Sequence, residues 1–200
     1  MRVGPTRLEP GFAVPASFVP ITERTSVPLS RACEPINQRS HNGFADALLR
    51  HLGLVKGGEA SYAAGAKVEL GWLVAEHGLA PPQVMLADGS GLSRRNTASA
   101  KAIVALLRQM ADSASYRRSL AVAGELGTLK GRMGLPLTKG RLRGKTGTLE
   151  GVVATSGYLE RADDGRLLVF ALVMNGVRDG AAARRAQDRF LEVLAQPLPR

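Results

Sequence analysis

The sequence predicts a mixed α/β chain in which helical segments lead into an antiparallel sheet near the C-terminus. Three observations carry this reading. Apolar residues recur at helical spacing from about Pro35 to Gly124. Three strand-like runs, RLRGKTGT, GVVATSGYLER and RLLVFALVMNG, then follow in close succession. A last amphipathic stretch, from about Ala181 to Leu194, closes the chain as a helix.

Taken in order, residues 1 to about 30 are Pro-rich and lack a long period. FAVPASFVPITERTSVPLS reads as one or two short extended pieces joined by turns. A helix is expected from about Pro35, since proline suits a first helical turn. Phe44, Leu48, Leu49 and Leu52 fall on one face, and Gly53 is the expected stop. EASYAAGAKVELGWLVAEHG is a second helix, with Ala63, Ala66, Leu70, Leu73 and Val74 as its stripe and Gly78 ending it. QVMLADGSGLSRRN is a short apolar piece followed by a Gly/Ser loop. Asn96 or Thr97 caps a helix through Ile103, Leu106, Leu107 and Met110. SYRRSLAVAG is a shorter helix, and ELGTLKGRMGLPLTKG a loop without a period.

Asp163-Asp164-Gly165 supplies a tight turn, so the last two strands should form an antiparallel hairpin. Leu167 to Met174 is apolar without alternation, as expected of a strand covered on both faces. In the closing helix Ala183, Ala186, Phe190 and Leu194 share a face.

Composition bounds the function. At 44% hydrophobic and 22% charged, the 200 residues can bury a core and fit one domain. No apolar window is long enough to span a membrane, and the N-terminus has no apolar stretch of signal-peptide type. Cys33 is the only cysteine, so neither an internal disulfide nor a thiolate metal site is available. The net charge of +10 favours an anionic partner, while 4% aromatics supply little surface for stacking on bases.

Three clusters carry chemistry. In GRLRGKTGTLEG, Lys145 can hold a carboxylate, and the hydroxyls of Thr146 and Thr148 can bond the same group. Gly147 lets a peptide approach the strand edge, and the Thr148 N–H can meet a developing oxyanion. The plain alternative is a turn that contains Lys and Thr. In RSHNGF, Ser40 and Asn42 can face one cleft if His41 turns away; the alternative is helix capping by either. DGSGLSR, from Asp88 to Arg94, is by itself a Gly/Ser loop, without the Gly-Lys-Ser/Thr of a phosphate loop.

Their order, S-x-N, then D-G-S-G-L-S-R, then K-T-G-T, resembles the class C low-molecular-mass penicillin-binding proteins, the D-alanyl-D-alanine carboxypeptidase/endopeptidases. NQRSHNGFADALLRHLG is similar to their second active-site motif and its helix. LADGSGLSRRN is similar to the loop that follows, and AGELGTLKGRM with GRLRGKTGTLEGV to the approach to the third motif. SGYLE and LVFALVMNG resemble the closing hairpin. The likeness covers about residues 28–178.

The resemblance implies a penicillin-binding, β-lactamase-like transpeptidase fold: an antiparallel sheet flanked by helices, incomplete at its N-terminus. Residues 1–30 would be the tail of an inserted domain or a linker, and residues 31–200 the C-terminal part of the transpeptidase domain. The implied reaction is serine acyl transfer on D-Ala-D-Ala muropeptides of peptidoglycan, with no metal or organic cofactor. Ser40, Asn42 and Lys145 would be catalytic; Thr146, Gly147 and Thr148 would bind substrate. Implied partners are muropeptides, β-lactams and the missing N-terminal part, not nucleic acid, and the implied location is the periplasm or cell envelope.

One departure stands out. No serine in the chain has a lysine three positions on, so the family's S-x-x-K motif is absent. The nucleophile is therefore expected outside these residues, and the isolated chain to be inactive. Two other readings compete. A catalytically inactive remnant rests on the same absence; a basic nucleic-acid-binding module rests on charge alone.

Overall fold

The computed structural model describes residues 25–197, together with Ser17. Most of the Pro-rich stretch expected to be extended therefore lies outside the described residues. Its described end, from Leu29, is helical instead.

Helix α1 (Leu29–Arg39) carries Pro35 in its interior and ends at Ser40, which takes a left-handed conformation. The expected single helix from Pro35 is thus two. Helix α2 (Asn42–Gly57) starts afresh two residues later and runs past Gly53 to a left-handed cap at Gly58. Gly53 does not stop the helix because its job is close approach. A methyl there would stand 2.7 Å from the Glu59 carbonyl oxygen and 2.7 Å from the Gly65 nitrogen. Helix α3 (Tyr62–His77) begins on Ser61, whose Oγ accepts from Ala64 N at 3.1 Å, and ends on left-handed Gly78 as expected. The α2–α3 seam buries Leu49, Gly65 and Ala66, whereas Ala63 and Val74 of the expected stripe are exposed.

A two-residue ladder pairs β1 (Val84–Met85) with β2 (Thr97–Ala98) across the D-G-S-G-L-S-R loop. Helix α4 (Ala100–Gln109) is capped by Ser99, not by Asn96 or Thr97. Asn96 is engaged elsewhere: its Oδ1 accepts from Ala87 N at 2.7 Å. Thr97 is in β2. Helix α5 (Ala114–Ser119) stops early, and the Leu-Ala-Val that follows turns into strand β3 (Ala121–Val122), fully buried. Residues 125–140 hold one 3-10 turn, Gly127–Leu129, and send Leu129 and Met133 into the core.

The sheet has the order β3-β4-β5-β6, antiparallel throughout: the three expected strands plus β3. Strand β4 (Leu142–Leu149) pairs with β5 (Val152–Glu160), Lys145 opposite Ser156. β5 pairs with β6 (Leu167–Asn175), and Gly165, at φ +69, closes the expected hairpin turn. Leu142, Leu159 and Phe170 meet Leu191 and Ala195 on one side of the sheet. Tyr158 meets Leu107 and Leu120 on the other, its hydroxyl donating to the Leu107 carbonyl at 2.6 Å.

Two expectations about the C-terminal part hold only in part. β6 does pack on both faces, Leu168, Phe170 and Leu172 toward the α6 side and Val169 toward Tyr158, but of its nine residues only Phe170 is fully buried, since its outer edge has no neighbouring strand among the described residues. Helix α6 (Gly180–Leu194) buries Ala183, Gln187 and Leu191, not Ala186 and Phe190. The polar Gln187 takes a place on the inner face because both of its polar atoms find hydrogen-bond partners there. Its Oε1 accepts from Thr155 Oγ1 at 2.9 Å, and its Nε2 donates to the Val153 carbonyl at 3.1 Å.

Candidate functional site

Ser40 and Lys145 lie 105 residues apart in sequence and meet in one cleft of about 520 Å³. Each is held by its own element. Ser40 is the turn between α1 and α2, at φ 55 and ψ 49. A non-glycine residue in that region costs about 1–3 kcal/mol and is kept only where its surroundings fix it. They do so here. The Pro35 carbonyl accepts from the Ser40 and His41 backbone N–H groups. Asn37 Nδ2 donates to Ser119 Oγ at 2.7 Å, tying α1 to α5. His41 turns its ring back along α2, where Nδ1 accepts from Phe44 N at 3.2 Å and the ring stacks on Phe44 with centroids 4.1 Å apart. The helix cap is therefore His41, and both Ser40 and Asn42 are left to line the cleft.

Lys145 sits on the sheet face that carries Tyr158, toward the helices. Its Nζ donates to Ser40 Oγ and to the Thr146 carbonyl, and it makes no ion pair among the described residues. Burial lowers its pKa below the ordinary lysine value. A partly desolvated ammonium with no carboxylate neighbour interacts more strongly with an incoming anion than an exposed one does.

β3 pairs with β4 only at Arg143 and Gly144, so β4 has a free edge from Lys145 onward. Backbone direction alternates along a strand. The Arg141 carbonyl accepts from Glu160 N at the end of β5, whereas the Leu142 carbonyl accepts from Ala123 N, next to β3, and the Leu142 N–H donates to the Thr138 carbonyl. Continuing the alternation, Thr146 and Thr148 turn their N–H and C=O groups toward the free edge. Gly147 is exposed between them. Thr146 Oγ1 donates to Thr128 Oγ1 at 2.8 Å.

Thr128 was not among the residues the sequence singled out; it comes from the 3-10 turn. Gly127 holds that turn against α1: at φ +66, a methyl there would meet the Gln38 carbonyl oxygen at 2.4 Å. Nothing local marks the threonine. The preceding glycine is its one sequence signal.

The D-G-S-G-L-S-R loop forms another wall, contributing Gly89, Ser90 and Leu92. Asp88 folds it. Oδ1 accepts from Gly91 N and Asn96 Nδ2, and Oδ2 from Ser93 N, at 2.7, 2.8 and 2.7 Å. Burial would raise the Asp88 pKa, but these bonds outweigh it and hold the carboxyl below its ordinary value. Asp46 of α2 seats the loop, its Oδ1 accepting from Gly89 N and Ser90 N at 3.0 and 2.9 Å. Arg94 Nη2 donates to the Glu150 carbonyl at 2.8 Å, joining the loop to the β4–β5 turn. All six sequence-selected residues, Ser40, Asn42, Lys145, Thr146, Gly147 and Thr148, thus border one cleft. A hydroxyl, a lysine and an open strand edge there suit an extended peptide with an anionic end.

Comparison with known proteins agrees in its extent. The chain is 35% identical over 184 residues to a D-alanyl-D-alanine carboxypeptidase of Actinomadura sp. strain R39, a match covering 88% of this chain and 34% of that protein. Penicillin binding protein 4 from Haemophilus influenzae superposes with a TM-score of 0.77 at 26% identity, over 86% of this chain and 41% of that one. TLA-3 extended-spectrum β-lactamase, at 14% identity, shares the fold with a TM-score of 0.60 over 85% of this chain and 66% of its own. The chain therefore has the penicillin-binding, β-lactamase-like fold, and it spans about a third of the length of the curated relatives it matches. The D-Ala-D-Ala carboxypeptidase 3 (S13) family model matches residues 12–197, nearly the whole sequence, and with S-x-N and K-T-G brought into one cleft the chain belongs to that family.

Proposed function

We propose that these residues form the S-x-N and K-T-G part of a serine-type D-Ala-D-Ala carboxypeptidase/endopeptidase site acting on peptidoglycan in the periplasm or cell envelope. The observation that carries the reading is the Lys145–Ser40 contact beside the free edge of β4.

In this scheme the nucleophile is a serine supplied from outside the 200 residues. Its Oγ attacks the carbonyl of the D-Ala-D-Ala bond, and the substrate lies along β4. Lys145, with the Thr146 and Thr148 hydroxyls, holds the terminal carboxylate. The Thr148 N–H is one of two donors to the oxyanion. As the tetrahedral intermediate collapses, the C–N bond breaks and Ser40 passes its proton to the departing D-alanine amine. The lowered pKa of Lys145 suits it to restore that proton. Asn42 bonds the substrate amide and the lysine that accompanies the nucleophile. Water then hydrolyses the acyl ester. A penicillin binding protein 4 structure from Haemophilus influenzae, 27% identical, is complexed with a β-lactam, which fits a β-lactam as alternative acyl donor.

The second reading is a non-catalytic remnant of such an enzyme, favoured by the missing S-x-x-K. The experiment that separates them joins these residues in cis to a family N-terminal region carrying S-x-x-K and measures D-alanine release from an acyl-D-Ala-D-Ala peptide. Release that Lys145→Ala reduces at least ~100-fold, as losing an oxyanion donor does, supports the enzyme. A folded chimera without release supports the remnant.

A further inference from the structure

Arg117 and Arg118 of α5, with Arg141 just before β4 and Arg143 within it, line a second cleft of about 320 Å³, and Tyr158 and Glu160 of the adjacent strand β5 line it beside Arg143 and Arg141. It shares no lining residue with the cleft around Ser40. Arg143 and Lys145 lie on one sheet face two residues apart, so the two clefts are roughly 7 Å apart along β4.

None of the four guanidiniums makes an ion pair among the described residues, whereas Arg132 and Arg161 do. Glu160 offsets only one of the four charges. Glu125 also stands against Gly140 of the lining. Arg117 has its Nε buried without a hydrogen-bond partner. Like charges gathered around one concavity raise its potential and attract counter-ions. A buried N–H left unpaired is a standing cost that an acceptor oxygen removes.

The class of anion follows from what else lines the cleft. Tyr158 is its only aromatic residue; the ring is buried in the core and the hydroxyl is committed to Leu107. No face is left on which a base could stack, which argues against nucleic acid. Planar guanidinium forks match phosphate oxygens in pairs. Two pairs of arginines on facing elements fit several phosphates better than one.

We infer that this cleft binds a phosphate-bearing polyanion, either a soluble chain of phosphates or a phosphate-headgroup lipid surface. The inference does not depend on the proposed acyl-transfer chemistry. The test uses the 200-residue chain with fluorescently labelled inorganic polyphosphate, and with phosphatidylglycerol and phosphatidylcholine vesicles, over a range of salt. Arg118→Gln/Arg141→Gln, both at exposed positions, should weaken polyphosphate or phosphatidylglycerol binding at least tenfold. It should also make the salt dependence shallower by about 1.5 in log–log slope, near one counterion per arginine. Whichever probe shows this names the source. Arg184→Gln/Arg185→Gln, an equal charge loss on α6, should change binding less than twofold. Equal losses in both double variants, or binding to neither probe, overturn the assignment. So does cleft-dependent binding of duplex DNA that is tighter than that of polyphosphate. Circular dichroism confirms each variant is folded; Arg117→Gln/Arg143→Gln serves if the first pair is not.

Discussion

Gly89 is where the D-G-S-G-L-S-R loop rests on α2, and replacing it by alanine tests that seat. A methyl at Gly89 would lie 2.4 Å from the Ala45 carbonyl oxygen, 2.8 Å from its carbon and 3.1 Å from the Asp46 Cα. Attractive contact needs about 3.5 Å, so the loop must retreat by about 1 Å. All three obstacles are backbone atoms of a helix, which cannot rotate aside. Overpacking of this kind costs about 1–3 kcal/mol. The retreat also stretches the bonds from Gly89 N and Ser90 N to Asp46, now 3.0 and 2.9 Å, past useful length. Bonds to a charged group contribute about 1.5–3 kcal/mol each, and these are only partly buried, so the lower end applies. With about 1–3 kcal/mol from overpacking and about 3 from the two bonds, a total loss of ~4–6 kcal/mol is expected. Urea titration measures it, with Gly91→Ala as control. Gly91 has φ +79 and open space around it, so its alanine carries only the left-handed penalty of about 1–2 kcal/mol. In an Asp46→Ala background, the cost of Gly89→Ala should fall by about 1 kcal/mol or more. A Gly89→Ala protein within about 0.5 kcal/mol of wild type would show that the loop does not rest on α2 at Gly89.

Other outcomes follow from neighbouring features. Gly71, mid-α3 with nothing within 4 Å of a added methyl, should stabilise the chain by ~0.8–1 kcal/mol when changed to alanine, read as a raised thermal midpoint. Asp188→Ala strands Arg132, whose side chain is 14% exposed and whose Nε and Nη2 both donate to Asp188; denaturant titration should show a loss of about 2–4 kcal/mol. For Lys145 the sign follows from its lowered pKa: the unfolded chain holds that proton more tightly, so charging Lys145 costs stability at neutral pH. The stability of wild type minus that of Lys145→Met should therefore rise as pH climbs from the lowered folded value toward the ordinary 10.5. A flat or falling difference by pH-dependent denaturation would contradict it.

Features set by local chemistry were legible in the sequence. Gly78 and the Asp163-Asp164-Gly165 turn end their elements as backbone rules require, and the three C-terminal strands stand where their β-rich runs place them. The six residues that border the cleft could be named through the resemblance, because S-x-N and K-T-G each form one local segment. What escaped depends on partners distant in sequence. The phase of α6 is set by Thr155 and the Val153 carbonyl, which make Gln187 an inner residue and leave Phe190 outside. Gly53 reads as a helix stop until α3 is seen lying against it. Asp46 and Thr128 carry no signal of their own, since one matters through a loop 43 residues away and the other through Thr146.

In the function proposed above, this chain holds the S-x-N and K-T-G groups of an acyl-transfer site whose nucleophile comes from elsewhere. Acylation needs a serine activated by a nearby base as it attacks, and no serine here has a lysine one helical turn on. Ser40 does touch Lys145, but in the proposed scheme it stands beside the leaving group. In the same scheme the second oxyanion donor comes with the absent serine, and lacking it should cost a further factor of roughly 10²–10³ in rate. The most direct measurement is intact-mass spectrometry of the 200-residue chain after incubation with a fluorescent penicillin. The mass should be unchanged. A stoichiometric penicilloyl adduct, mapping to Ser40 or to any other serine, would contradict it and make this chain a complete enzyme.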